Sequence, residues 1–161
     1  MRERLNAVVK RREAFRPFAP AVLFDRANEF FDLSYESPFM LETCAVRPGA
    51  ALPAITHVDG SARVQTVDPA GGHRFARLLE AFNRLTGCAV LLNTSFNLKD
   101  EPIVCTPHDA LVCFLRSEID ILVLGDFLID RDDVPSGLIE VVRRSYTPKP
   151  LGVPDHIYTF V

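Results

Sequence analysis

The stretch between residues 73 and 97 constrains the fold most, because it combines a helix, a strand and a polar loop. Apolar residues recur at helical spacing from His73 to Thr86, and Gly87 stands where a left-handed C-terminal cap belongs. The apolar run from Cys88 to Leu92 then predicts a buried strand. Amides and hydroxyls dominate the next segment, Asn93 to Asn97. This order is typical of an open α/β sheet, in which ligands bind outside the carboxyl ends of strands.

The residues alone leave two interpretations of the loop from Asn93 to Asn97. Short amide and hydroxyl side chains can bind an oxyanion without adding charge. They can equally close an Asx or ST turn on their own backbone, and such a turn needs no ligand.

Composition narrows the class of protein. The chain has 161 residues, of which 48% are hydrophobic, so we expect one domain over residues 1–161 with its own core. The apolar stretch from Ile119 to Ile129 is interrupted by Asp120 and Asp126 and is too short to span a bilayer. Because the N-terminus also lacks a signal-type apolar stretch, we expect a cytoplasmic protein without membrane contact.

Charge and metal-ligand spacing argue against two other classes. The net charge of −3 disfavours a general nucleic-acid surface, although the first sixteen residues carry six basic side chains against two acidic ones. No C-x-x-C pair is present, and the histidines lack ligand spacing with any cysteine, so no protein-bound metal is predicted. We interpret the cysteines as reduced core residues: Cys44, Cys88, Cys105 and Cys113.

Two further helices are expected. Apolar spacing predicts the first from Arg2 to Glu13. The second begins at Pro107 with Thr106 as N-cap and Asp109 in a capping-box position, and it ends near Ser117. Its buried face is predicted at Leu111, Phe114 and Leu115.

The remaining patterns predict strands of a mixed, irregular sheet. Strands are expected at Met40–Val46 and Ala62–Val67, and a buried strand at Ile119–Leu124. The segment from Phe15 to Leu23 contains two prolines, which favours an extended edge segment over a central strand. The proline-rich tail from Pro148 is expected to be extended. The predicted fold class is therefore mixed α/β with flanking helices.

Four short strings, taken in order and at their spacing, resemble the C-terminal domain of the O-carbamoyltransferases that modify antibiotics and nodulation factors. They are K-R-R-E-A-F-R-P-F-A-P from Lys10, T-H-V-D-G-S-A-R-V-Q from Thr56, L-L-N-T-S-F-N from Leu91, and E-P-I-V from Glu101. The resemblance runs from Met1 to about Ile129. It implies a YrdC-like fold, which is a twisted open mixed α/β sheet with flanking helices and a concave cationic surface.

The resemblance also implies a function. In complete family enzymes, this domain binds carbamoyl phosphate and ATP with Mg²⁺ and forms carbamoyl-adenylate. A separate N-terminal, Kae1-like transferase domain carries the metal and moves the carbamoyl group to a hydroxyl acceptor. By motif match, we expect catalytic phosphate and carbamoyl ligands at Lys10, Arg16, Arg63 and Ser95. Substrate- and nucleotide-binding residues are expected at Thr56, His57, Asp59, Ser61, Asn93, Thr94 and Asn97.

Simpler roles stay open for several of these residues. Lys10 could belong to the solvated face of an amphipathic helix. His57 could be an ordinary loop histidine. Asp59 and Glu101 could orient arginines or cap turns. For Arg63, alternation between Ala62 and Val64 predicts a side chain on the face opposite its apolar neighbours.

The family pattern is incomplete in this sequence. We expect this chain to begin after the upstream G-P-R-A-L-G-x-R-S segment, whose arginine joins the family's phosphate site, and to be without the N-terminal transferase domain. Asp100 stands where relatives usually have glycine. We therefore expect half an enzyme, either a piece of a longer protein, a split-gene subunit or a truncated relic. The alternatives are a non-catalytic nucleotide- or anion-binding module and, disfavoured by the acidic charge, an RNA-binding protein.

Overall fold

The protein combines short sheets with flanking helices, and the predicted mixed α/β class is confirmed. The computed structural model describes residues 1–10, 16–99 and 101–146. Within these ranges the chain forms two compact units. Unit 1 comprises residues 1–3 and 16–94, and unit 2 comprises residues 4–10, 95–99 and 101–146. That residues 1–161 are one domain stays a prediction.

The secondary-structure elements are short and alternate between strands and helices along the chain. In chain order, the strands are β1 (Ala19–Leu23), β2 (Cys44–Ala45), β3 (Ser61–Ala62), β4 (Gln65–Val67), β5 (Val90–Asn93), β6 (Ile121–Leu124) and β7 (Phe127–Asp130). The α-helices are α1 (Arg2–Arg4), α2 (Ala27–Phe30), α3 (Arg74–Thr86), α4 (Pro107–Arg116) and α5 (Ser136–Ser145). A π-helix, Leu5–Lys10, follows α1, and 3-10 turns occupy Phe24–Arg26 and Arg131–Asp133.

Strand β1 is the central strand of a mixed sheet in unit 1, so the expected edge position was wrong. The strand order is β4-β1-β5, with β1 parallel to β4 and antiparallel to β5. The edge prediction rested on proline, which cannot donate to a strand ladder. Pairing with β4 begins only at Ala21, so Pro20 lies beside β5 alone. The proline therefore falls outside the parallel ladder and does not interrupt it.

Three predicted site segments lie at the same end of this sheet. Strands β1 and β4 begin at this end and β5 finishes there, because Ala19 pairs with Asn93 and Ala21 with Gln65. Arg16 precedes β1 by three residues, and Arg63 precedes β4 by two. The polar loop thus follows the carboxyl end of β5, as expected, but β1 and β4 begin at this place instead of ending there.

Helix α3 and its glycine cap occur where the sequence predicts them. Gly87 has φ 73° and its N–H donates to the Asn83 carbonyl at 2.8 Å, which is the left-handed C-cap geometry. Leu79 is fully buried against the sheet in a cluster with Leu23 and Val67. The apolar spacing between His73 and Thr86 predicted one buried stripe, but three of its residues are exposed: Phe75, Leu78 and Leu85.

The strands predicted at Met40–Val46 and Ala62–Val67 are shorter and differently arranged. Only Cys44–Ala45 remains of the first, apart from an isolated bridge between Val46 and Phe31. The second is split, because Ser61–Ala62 pairs with β2 while Gln65–Val67 pairs with β1. The chain changes partner at Arg63 and Val64, and alternation alone cannot reveal that change.

Helix α4 of unit 2 begins with the predicted capping box. The Asp109 N–H donates to Thr106 Oγ1 at 3.1 Å, and the Thr106 N–H donates to Asp109 Oδ2 at 3.0 Å. The predicted buried face was wrong at Leu111, which is exposed. The buried face of the helix instead consists of Ala110, Cys113, Phe114 and Leu115.

Replacing Thr106 with alanine should lower the free energy of unfolding by about 1 kcal/mol, because the Asp109 N–H loses its side-chain acceptor. Thr106→Ser is the matched control, since it keeps the hydroxyl and should cost less. Urea unfolding of the three proteins measures the difference. Equal losses for alanine and serine would show that the hydroxyl does not cap the helix.

Strand β6 forms a hairpin with β7. Buried and exposed residues alternate along it, so the prediction of a buried strand at Ile119–Leu124 was wrong. Leu122 is buried, whereas Ile121 and Val123 are exposed. Only one face of this two-stranded hairpin packs against the core, so successive side chains are alternately buried and exposed. Gly125 occupies the first position of the two-residue turn with φ 61°. Strand β7 and helix α5 were not predicted; Ile139 and Val142 of α5 pack against the Phe114 cluster.

Several remaining predictions have mixed outcomes. The first helix is confirmed from Arg2 to Lys10, while its predicted end and the tail from Pro148 lie outside the described residues. All four cysteines are free; Cys113 is buried, but the core prediction was wrong for Cys105, which is exposed. Among the described residues, no helix has both the length and the apolar character needed to cross a membrane.

Candidate functional site

The Lys10 ammonium lies at the centre of a polar cluster in unit 2. Its Nζ donates to Ser95 Oγ at 3.1 Å, to the Asn97 carbonyl at 3.2 Å and to Asn97 Oδ1 at 2.8 Å. The Ser95 carbonyl is a further acceptor. Lys10 is only 7% exposed, so the solvated-face interpretation was wrong. A buried ammonium keeps its charge only when such partners replace water.

The loop around Ser95 is organised by side chains and by this ammonium. Ser95 Oγ donates to Asn97 Oδ1 at 2.6 Å while it accepts from Lys10. Asn97 Nδ2 donates to the Glu101 carbonyl at 2.9 Å. Ser95 itself is exposed. The Ser95 hydroxyl is therefore held by Lys10 and Asn97 within an exposed residue.

A nearly buried ion pair supports the far end of this loop. Arg116 Nη1 pairs with Glu101 Oε1, and the two side chains are 18% and 13% exposed. The Arg116 guanidinium also lies over the Tyr146 ring, 4.5 Å from its centroid. Of the two interpretations of Glu101, the one in which it orients an arginine is confirmed. Arg116 itself was not predicted, because no local pattern links residues so far apart in sequence.

Cys113 lies in the same unit but is not a nucleophile candidate. Burial, with a smaller contribution from the Glu101 charge, raises the pKa of Cys113 to about 11. The thiol therefore stays protonated at neutral pH, and the thiolate is the reactive form.

In unit 1, the string from Thr56 to Ser61 forms a compact polar turn. The His57 N–H donates to the Ser61 carbonyl at 2.8 Å, and His57 Nδ1 lies 3.0 Å from Ser61 Oγ. Asp59 Oδ1 accepts from the Ser61 N–H at 2.9 Å, and this bond, with a smaller one from the Ser61 side chain, lowers the pKa of Asp59. For Asp59, the turn-capping interpretation is confirmed. The Thr56 hydroxyl donates to the Leu52 carbonyl at 2.8 Å.

Two arginines lie just before β1 and β4, at the end of the sheet where both strands begin. Arg16 and Arg63 are both exposed. The alternation predicted around Arg63 is confirmed, since Ala62 and Val64 on either side are buried. Thr94, which follows Asn93 at the end of β5, is also exposed. Exposed guanidinium groups near strand ends can bind phosphate oxygens in a bidentate manner.

Gln65 is a second residue that the sequence did not single out. Its side chain contacts Asn93, whose Nδ2 donates to Gln65 Oε1 at 2.5 Å. Residues 65 and 93 lie on strands that are separated by β1, so only the sheet register could have revealed the pair.

The structure thus brings together Lys10, Ser95 and Asn97 in unit 2 and His57, Asp59 and Ser61 in unit 1. The catalytic and binding roles of these residues stay predictions. Across residues 1–10, 16–99 and 101–146, no group of three or more histidine, cysteine or acidic side chains is placed to hold a metal ion.

Comparison with known proteins identifies the family. Residues 1–131 match the family described as Carbamoyltransferase C-terminus, so the chain belongs to that family and the resemblance drawn from its motifs is confirmed. An uncharacterized protein of Synechocystis is 45% identical, over 84% of this chain and 26% of that protein.

Two relatives have descriptive names. Nodulation protein NolNO of Sinorhizobium fredii is 47% identical, over 81% of this chain and 20% of its own length. A 3'-hydroxymethylcephem-O-carbamoyltransferase of Amycolatopsis lactamdurans is 41% identical, over 78% of this chain and 24% of its own length. The chain therefore spans between about a fifth and a quarter of the curated relatives it matches.

Proposed function

We propose that this chain is the part of an O-carbamoyltransferase that binds ATP and carbamoyl phosphate and forms carbamoyl-adenylate. A Kae1-like transferase domain or separate subunit would then move the carbamoyl group to a hydroxyl acceptor. The observation that carries the proposal is the buried Lys10 ammonium that holds the Ser95 hydroxyl, within a chain of the carbamoyltransferase C-terminal family. Because ATP is an intracellular substrate, we place this chemistry in the cytoplasm.

The proposed reaction needs cations and donors more than it needs a nucleophile. Water takes the phosphoryl group of carbamoyl phosphate and leaves carbamate. A carbamate oxygen then attacks the α-phosphorus of ATP, the bond to pyrophosphate breaks, and carbamoyl-adenylate forms. Mg²⁺ enters with ATP as part of the substrate and neutralises phosphate charge. Charge stabilisation is usually the largest catalytic contribution in such transfers.

In this proposal, Lys10 and Ser95 act as a unit. The ammonium holds the Ser95 carbonyl and hydroxyl in place, and its charge favours an anion at the exposed side of the hydroxyl. To donate to a phosphate or carbamoyl oxygen, the hydroxyl rotates away from Asn97 Oδ1, its present acceptor. Lys10 is therefore mainly a positioning residue, and Ser95 is the ligand donor.

Arg16 and Arg63, which belong to unit 1, are proposed to bind phosphate oxygens. Both are exposed at the ends of segments that lead into the sheet, and arginine forks match phosphate geometry. The turn from Thr56 to Ser61, which immediately precedes Arg63, is proposed to contribute hydroxyl and imidazole groups to nucleotide binding.

Replacing Arg63 with alanine should weaken ATP binding by about tenfold or more, because a charge-assisted phosphate contact is lost. Calorimetry at low and at high salt measures the effect, which should shrink as salt screens the charge. Arg84→Ala is the matched control, since Arg84 is an exposed arginine at the far end of α3. Equal ATP affinities of the wild type and Arg63→Ala would contradict the assigned role.

An assay of pyrophosphate release separates the proposed enzyme from a non-catalytic anion-binding module. ATP, Mg²⁺ and carbamoyl phosphate are mixed with the chain, and pyrophosphate release is followed. Binding of both substrates with pyrophosphate release supports the proposal. Binding without release, even after addition of a family transferase domain, supports the binding module instead.

A further inference from the structure

Two amide side chains meet over the central strand of the unit 1 sheet. Asn93 Nδ2 donates to Gln65 Oε1 at 2.5 Å, and Gln65 Nε2 donates to the Pro38 carbonyl at 3.2 Å. Asn93 is paired with Ala19 and Gln65 with Ala21. Residues that lie opposite each other on neighbouring strands point to the same face of the sheet, and Ala19 and Ala21 share a face because they are two residues apart. The two amides therefore lie on the same side of β1. Alanine at both β1 positions leaves the room in which they touch.

This chain of hydrogen bonds determines which way the Asn93 amide faces. A backbone carbonyl only accepts, so the Gln65 amide must turn its NH₂ group toward Pro38. Its Oε1 then faces Asn93, which in turn must present its own NH₂ group. The Asn93 Oδ1 atom is therefore turned away from Gln65 and is presented as an acceptor. Without Gln65, a flip of the Asn93 amide would exchange donor for acceptor.

A carbamoyl group offers a donor for such an acceptor. Carbamoyl phosphate and acetyl phosphate have nearly the same shape and both carry a phosphate, but the first has an amino group where the second has a methyl group. Arginine side chains that bind the phosphate cannot tell them apart. Discrimination requires an oriented acceptor, and sites built to bond an NH group reject analogues that lack it far more strongly than apolar pockets reject an added methyl.

We infer that Gln65 is a positioning residue that presents Asn93 Oδ1 to the amino group of carbamoyl phosphate and so selects it over acetyl phosphate. This inference rests on the proposed function. Asn93 is the last residue of β5, next in sequence to Thr94 and Ser95, and the Gln65 amide holds it across the sheet.

The test is the ratio of affinities for carbamoyl phosphate and acetyl phosphate, measured by calorimetry on the whole chain. In Gln65→Met, which keeps length but makes no amide hydrogen bond, the preference for carbamoyl phosphate should fall about tenfold, while acetyl phosphate affinity changes little. Asn93→Leu should lose the same preference. In the Asn93→Leu background, Gln65→Met should change the ratio less than about twofold, because the two residues act in series.

Gln65→Glu is the matched variant. Its carboxylate loses the bond to the Pro38 carbonyl but still accepts from Asn93 Nδ2, so the ratio should stay near the wild-type value, although the added charge weakens binding of both phosphates. If Gln65→Met does not fold, the Asn93→Leu and Gln65→Glu ratios decide. An unchanged ratio in the methionine or leucine variant, or a lost ratio in Gln65→Glu, overturns the inference. A wild type that binds both phosphates equally also overturns it but leaves the proposed function standing, whereas a wild type that binds neither contradicts both.

Discussion

Replacing Lys10 with methionine is expected to weaken carbamoyl phosphate binding by about a hundredfold, because one change removes both a charge and the donor that holds Ser95. Methionine keeps the length of the side chain but removes the ammonium donor to the Ser95 and Asn97 carbonyls, while Asn97 Oδ1 keeps only the bond from the Ser95 hydroxyl. These acceptors are part-buried, so losing the donor should cost less than the about 1–3 kcal/mol of a fully buried group, but the loop should still loosen. Calorimetry measures the affinity and thermal melts measure the stability.

Two controls separate the role of Lys10 from a general charge effect. Lys99→Met removes an exposed lysine from the same segment of unit 2 and should change carbamoyl phosphate affinity far less. Lys10→Arg keeps the charge but replaces a compact three-donor group with a planar fork, which does not fit the oxygens around Nζ, so we expect little recovery. Wild-type affinity in Lys10→Met, or full recovery in Lys10→Arg, would show that the ammonium does not organise this loop for binding.

Local signals in the sequence predicted local structure well. The cap at Gly87 and the capping box of Thr106 and Asp109 each depend on residues within one helical turn, and both occur as predicted. The alternation that buries Ala62 and Val64 around Arg63 is local too. In each case the hydrogen bonds or side-chain directions involve near neighbours, so a short window contains all the information.

Predictions that depended on pairing between distant segments failed more often. Proline in β1 argued for an edge strand, but the position of a strand depends on partners that lie 44 or more residues away, such as Gln65 opposite Ala21. Burial of β6 was overestimated because apolarity does not reveal that the hairpin has a covered face and an exposed one. Both errors concern tertiary context, which overrides local preference.

The candidate site divides in the same way. Motifs identified Lys10, Ser95 and Asn97 as residues of interest, but not that the lysine bonds the other two, which follow it by 85 and 87 residues. Gln65 ends one of the family strings and Arg116 lies outside all of them, but neither was assigned a role, since their importance comes only from what they touch: Asn93 in one case and Glu101 in the other. Supporting residues of this kind become visible only when the register of the sheet and the packing of the helices are known.

The pair of Glu101 and Arg116 gives the second large prediction. Arg116→Met should lower the free energy of unfolding by about 3 kcal/mol, because it leaves the Glu101 carboxylate, only 13% exposed, without its guanidinium. The contact of the guanidinium with Tyr146 is lost as well. Carbamoyl phosphate should also bind more weakly, since the Glu101 carbonyl anchors Asn97 through its Nδ2 group. Urea unfolding and calorimetry measure the two effects.

A double-mutant cycle and an exposed pair make this prediction specific. Combining Glu101→Gln with Arg116→Met should recover a large part of the lost stability, because the cost arises from an unpaired buried charge and not from a missing attraction. Arg144→Met is the matched control: Arg144 pairs with Glu140, but the two are 78% and 62% exposed, and the loss should stay below about 0.5 kcal/mol. If Arg116→Met costs no more than Arg144→Met, the pair at Glu101 behaves as a surface ion pair and cannot be what holds Asn97 in position.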